Sequence, residues 1–200
     1  MEINYNFYYW GPFLFKTKLS KDNLKKILSF CKKEKSKLYT KYLAGHIKQE
    51  YELKTKDVMP ILEPYFEAYM QAASEHWNFK HSKKLKMTSS WVNFMKQGEF
   101  NPPHVHQERK GLEDIFTLSC VLYLQIPKDM SKYHETNSYP PGSIEFVYGE
   151  ALPKCRHGNV FTPEVGDFFI FPGWLKHYVC PFYTKGERIS LSANLTMVEE

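Results

Sequence analysis

From Arg188 to Val198 the sequence alternates without interruption. Ile189, Leu191, Ala193, Leu195 and Met197 fall on one side, and Arg188, Ser190, Ser192, Asn194 and Thr196 on the other. Period two is the signature of a β-strand. The apolar side demands a core to cover it. The polar side has two outlets: water, or the interior of a small barrel where it lines a ligand cavity. In the second case Arg188 and Ser190 stand about 7 Å apart on one side. A guanidinium beside a hydroxyl suits a carboxylate, through a charge-assisted two-pronged contact.

The rest of the second half has the same texture. After about residue 86 the apolar runs are short, rich in Val, Ile, Phe and Tyr, and separated by Pro and Gly. Strands are expected over 87–95, 117–126, 143–148, 158–161, 167–171, 177–182 and 187–197. Many short strands with turn signals argue for a closed or double-sheet all-β core. The first half reads differently. Residues 3–19 alternate aromatics, as one strand or two broken at Gly11-Pro12. Ser20 caps a helix to about Lys35. Thr55 or Asp57 opens a longer helix whose stripe is Val58, Ile61, Leu62, Tyr65, Phe66, Tyr69, Met70 and Ala73. Pro60 is tolerated in its first turn, whereas Pro64 is expected to weaken or kink it. Residues 36–56 are ambiguous and loop-rich. The expected division is one domain over 1–200, with supporting strands and helices in 1–86 and the β core in 87–200.

Two hundred residues suffice for a real core. An apolar share of 42% with 16% aromatics excludes a disordered chain. The charge of +5 is modest, with lysines gathered in the first half, which leans toward an acidic partner but carries no nucleic-acid signature. Cys31, Cys120, Cys155 and Cys180 are widely spaced and form neither a zinc motif nor a disulfide framework. No basic region followed by an apolar run opens the chain, and no apolar run reaches the length of a membrane span. The expectation is a soluble cytoplasmic protein.

Three histidines stand out. His104 and His106 are two apart, so on a strand both imidazoles reach the same side and can converge on one ion. Pro102-Pro103 before them cannot continue a ladder and puts the pair at a strand end, open to solvent. His177 follows the apolar run Phe168–Phe171 and the turn Pro172-Gly173. Alone, each has an ordinary alternative as a surface or hydrogen-bonded structural residue. Residues 128–142, with Tyr133 and Tyr139, read as a long loop and a candidate lid.

With these elements in order, the sequence resembles the iron(II)- and 2-oxoglutarate-dependent dioxygenases, on their prolyl-4-hydroxylase-like side, and most nearly a branch of oxygenases from marine bacteria and phages. The resemblance rests on Trp91-Val92-Asn93, Pro103-His104-Val105-His106, Leu118 through Leu124, Gly166 through His177, and Glu187 through Leu195. It implies a mainly β protein with N-terminal helices and a double-stranded β-helix (jelly-roll) core. It implies ferrous iron on His104 and His177, and Arg188 with Ser190 on the distal carboxylate of 2-oxoglutarate. Tyr123 falls where such proteins use a tyrosine hydroxyl on the co-substrate, and Asn93 and Asn194 are further candidate contacts. Dioxygen is the second co-substrate, with hydroxylation of an unidentified small molecule or macromolecule the implied reaction. The sequence departs from the family in one respect. The usual ligand set is two histidines and a carboxylate, yet the carboxylate position holds His106. In an alternative register His106-Gln107-Glu108 supplies Glu108 as a ligand in place of His104. Two other functions fit the same residues: a three-histidine dioxygenase that does not use 2-oxoglutarate, and a non-catalytic jelly-roll binding module.

Overall fold

The computed structural model describes residues 11–33, 37–77, 84–106, 117–132 and 139–198. In chain order the strands and α-helices are β1 (Phe15–Lys18), α1 (Lys21–Lys33), β2 (Glu50–Glu52), α2 (Thr55–Trp77), β3 (Lys84–Met95), β4 (Asn101–His104), β5 (Thr117–Gln125), β6 (Ile144–Val147), β7 (Gly158–Phe161), β8 (Asp167–Pro172), β9 (Lys176–Val179) and β10 (Arg188–Val198).

The helices form for local reasons and persist for tertiary ones. Ser20 Oγ accepts the Asn23 amide at 3.3 Å, capping α1, which buries Ile27 and Cys31. Helix α2 runs through both Pro60 and Pro64 without ending. An interior proline costs a helix about 3 kcal/mol. The stripe Val58, Leu62, Phe66, Tyr69 and Met70 is buried, and each such side chain returns roughly 1.5–3 kcal/mol. Packing therefore outweighs the lost hydrogen bond.

All strand pairs are antiparallel and form two sheets. The larger runs β1-β8-β5-β10-β3-β2 and the smaller β4-β9-β6-β7. One face of the large sheet packs on the helices: Val92, Phe94, Leu122, Phe168 and Leu191 share a core with Val58, Leu62 and Phe66. Its other face meets the small sheet, where Val121, Tyr123, Phe169 and Phe171 pack with Ile144, Phe146 and Val179. This is the jelly-roll core. Strands β1 and β2, both from the first half, form the two edges of the large sheet.

Strand β2 departs from the loop expected over residues 36–56. Three residues are too few to reveal a period, and its formation depends on a ready edge at β3, where Glu50 pairs with Asn93 and Glu52 with Trp91. At the opposite edge the buried Asp167 holds β1: Lys16 Nζ lies 2.9 Å from Oδ2, which also accepts the Glu164 amide at 3.0 Å. Among the described residues, no helix is long and apolar enough to cross a membrane.

Candidate active site

The three histidines meet at the mouth between the sheets. His104 and His177 are direct cross-strand partners on β4 and β9. His106 lies just beyond β4, where its amide donates to Gly173 O at 2.7 Å. One nitrogen from each ring falls within 4.8 Å of the others, so a single ion can take all three. Ring centroids lie 4.3 Å apart for His104–His177, 4.9 Å for His104–His106 and 5.1 Å for His106–His177.

The surroundings prepare these rings for a metal. His104 Nδ1 lies 2.7 Å from Pro102 O and His177 Nδ1 2.9 Å from Leu175 O. A carbonyl can only accept, so in both rings Nδ1 carries the proton and Nε2 keeps its lone pair. Burial lowers the pKa of all three below the ordinary histidine value, for His106 to about 3, and His104 adds repulsion at His106 and His177. The imidazoles are therefore neutral, the form that binds metal. Phe171 and Phe146 lie 4.8 and 5.9 Å from the His177 ring and form an apolar wall behind it.

The cavity that reaches the triad continues along the inner face of the large sheet. Asn93, Arg188, Ser190 and Ser192 line it with the three histidines. Arg188 is 1% exposed, a costly position for a permanent charge without a partner. Its Nη1 donates only to Met95 Sδ at 3.3 Å, while Nε and Nη2 find no acceptor among the described residues. Its guanidinium carbon sits 4.6 Å from the centre of the Tyr123 ring. The Tyr123 hydroxyl is buried with no well-aligned hydrogen bond; burial raises its pKa, against the opposing pull of the adjacent Arg188. Ser190 is the cross-strand partner of both Asn93 and Tyr123, and Asn93 Nδ2 lies 3.4 Å from its hydroxyl.

Not every expected residue joins this group. Neither Asn194 nor Tyr123 lines the cavity: Asn194 accepts from Ser119 Oγ at 3.0 Å, farther along β10, and Tyr123 lies behind Arg188. Glu108 and Tyr133 lie outside the described residues. Tyr139 is 44% exposed with its ring near Tyr178. Phe169 and Phe171 are buried, but Trp174 is 43% exposed and packs on Tyr148.

Comparison with known proteins gives this arrangement its context. Residues 89–194 match the family model described as "Putative 2OG-Fe(II) oxygenase", over half of the chain. The chain belongs to this family. The oxygenase is thus an iron enzyme whose cofactor and co-substrates are Fe(II), 2-oxoglutarate and O2. The residues fit those groups: three neutral imidazoles for the metal, and unpartnered donors on Arg188 for an anion. No functionally curated protein matches the sequence. Similar solved structures include a Pseudomonas putida prolyl-4-hydroxylase, 14% identical with a TM-score of 0.59, the match covering 94% of this chain and 93% of that one. A viral collagen prolyl hydroxylase from Paramecium bursaria Chlorella virus-1, in complex with 2OG, is 12% identical with a TM-score of 0.60, covering 92% and 96%. A Trichoplax adhaerens prolyl hydroxylase bound to a hypoxia-inducible-factor peptide fragment is 11% identical with a TM-score of 0.58, covering 92% and 83%. At such identities the likeness speaks for the shared jelly-roll fold.

Among the cavity residues that the sequence did not single out are Glu50, Asn101 and Gly45. Glu50 belongs to the strand too short to recognise. Asn101 precedes the proline pair and looks like an ordinary turn residue. A side chain at Gly45 would collide with Asn101 Oδ1 and come within 3.2 Å of Glu50 Oε1, so the glycine lets these two groups share one corner.

Proposed function

We propose that the oxygenase hydroxylates its substrate while converting 2-oxoglutarate to succinate and carbon dioxide, with the metal on His104, His106 and His177. The observation that carries this reading is a neutral histidine triad sharing one cavity with a buried arginine that has two unpartnered nitrogens. Arg188 receives the distal carboxylate of 2-oxoglutarate through a charge-assisted contact. Ser190 offers a hydroxyl to the same end, and Asn93 keeps Ser190 oriented. The bound iron supplies the chemistry that splits dioxygen between succinate and a substrate hydroxyl. The chain's own residues orient the two ligands and keep water from the reacting centre. Phe146 and Phe171 shield the triad on its inner side. With three neutral ligands, the protein does not offset the charge of Fe(II). The keto-acid carboxylate of the co-substrate would offset one of those charges while the distal carboxylate matches Arg188, so metal and co-substrate binding are coupled.

The test is anaerobic reconstitution with ferrous iron, followed by 2-oxoglutarate titration of the visible iron-to-ligand band and then a succinate assay in air. A saturable band, abolished by His177→Ala and weakened by Arg188→Ala, is expected. Oxygen uptake without any 2-oxo acid would overturn the proposal and put Arg188 on a substrate carboxylate instead.

A further inference from the structure

The cavity has two chemically opposite ends. At the Arg188 end the unpartnered atoms are the donors Nε and Nη2 of Arg188, with the Tyr123 ring packed against the guanidinium behind the lining. At the other end they are acceptors: Glu50 Oε2, Asn101 Oδ1 and Asn93 Oδ1, all buried and all without a hydrogen-bond partner. Glu50, Asn93, Ser190 and Tyr123 form one cross-strand row over β2, β3, β10 and β5, so the change of polarity runs straight across the sheet. At about 4.8 Å per strand, Glu50 stands roughly 10 Å from Ser190.

We propose that the Glu50 end is the substrate subsite and that it takes a cationic nitrogen, an alkylammonium or a guanidinium, on Glu50, Asn101 and Asn93. This rests on the oxygenase reading above for its view of what occupies the Arg188 end. Glu50 is 1% exposed, and among the described residues no lysine or arginine is ion-paired with it. A buried carboxyl without a cation is unfavourable unless a ligand supplies one. Burial, with the neighbouring Glu99 carboxyl, pushes Glu50 up to about 8, which favours the neutral carboxyl until a cation faces it. An arriving cation exchanges that proton for a charge-assisted hydrogen bond. Glu50 is not a missing metal ligand, because the converging ligand atoms are those of the three histidines. Nor is it a loose surface group. Glu99 fastens the surrounding chain by accepting from the Lys48 amide at 3.2 Å and the Lys96 amide at 2.8 Å, and the His46 amide donates to Phe100 O at 2.8 Å. The subsite is thus held in place before any ligand arrives, which limits the ordering cost of binding.

The test uses four probes of similar size, n-butylguanidine, n-butylamine, n-butanol and n-butyrate. Their affinities are measured by saturation-transfer NMR on the protein loaded anaerobically with Fe(II) and 2-oxoglutarate. The two cations are expected to bind at least tenfold more tightly than the alcohol or the acid. Glu50→Gln, which keeps shape and removes charge, is expected to erase that preference, and Asn101→Ser to weaken it about threefold. Asn101→Ser carries the test if the glutamine variant does not fold. Equal affinity for all four probes, or a cation preference unchanged in the variants, would overturn the assignment. Should 2-oxoglutarate fail to bind while the cations still bind through Glu50, the oxygenase reading falls and the subsite stands.

Discussion

The two faces of strand β10 make different use of burial. Ile189, Leu191, Ala193 and Leu195 enter the helix-backed apolar core. Arg188, Ser190 and Ser192 turn to the cavity and are just as buried, yet Arg188 keeps two nitrogens, Nε and Nη2, without acceptors. The first face stabilises the fold. The second carries buried polar groups that each cost about 1–3 kcal/mol while unpaired. Such atoms stand where a ligand would complete them, and that separates a functional face from a structural one within a single strand.

The sharpest way to break this comparison is at the metal. His177→Ala removes the ligand that pairs directly with His104, and ferrous affinity should fall at least ~100-fold by anaerobic titration. Retained affinity would mean that the triad is not the iron site. Next comes Arg188→Met, a change that should separate binding from folding. It should reduce 2-oxoglutarate affinity about 100-fold. It should also raise the stability to urea by roughly 1–4 kcal/mol, because an apolar side chain replaces a buried unpaired charge. A destabilised variant would show that the arginine serves the fold.

Glu50 offers a pH test with a defined sign. Its folded pKa of about 8 lies above the ordinary 4.5, so the folded chain binds a proton that the unfolded chain releases. The associated stability is complete below about pH 4.5 and is lost as pH rises toward 8. Wild type and Glu50→Gln should therefore unfold alike near pH 4.5. Near pH 9 the variant should be the more stable, by on the order of a few kcal/mol. A difference independent of pH would remove the buried carboxyl from the account. The smallest effect belongs to the structural edge. Asp167→Asn weakens the tie to Lys16 and should cost about 1 kcal/mol in chemical unfolding, with 2-oxoglutarate affinity unchanged.

The sequence was informative wherever a period was long enough to read. Most strands from residue 84 onward match their expected positions closely, because alternating or wholly apolar runs between turns leave few other arrangements. Strand β4 was not expected, since it runs through Pro102-Pro103 and pairs with β9 across an irregular register. The histidine cluster was legible through His104 and His106 two residues apart and His177 after an apolar run, and the structure brings the three rings together. The path through Pro64 was not legible, since the favourable packing of the α2 stripe comes from the distant β3, β8 and β10. Glu50 and Asn101 were hidden for a related reason. Neither carries a motif, and their importance arises only where Gly45 lets them come together.

By itself, then, the sequence determined the alternation of β10, the apolar β8, the amphipathic α2 and the residue types able to bind a metal and an anion. These follow from local periodicity and side-chain chemistry, which a linear chain already contains. Only the tertiary structure decided that the polar face of β10 looks into a cavity and not into water. It alone paired His104 with His177, and it alone set an acceptor-rich end of that cavity against a donor-rich one. Those outcomes depend on which sheet covers which, and no local pattern encodes the partner that a face will meet.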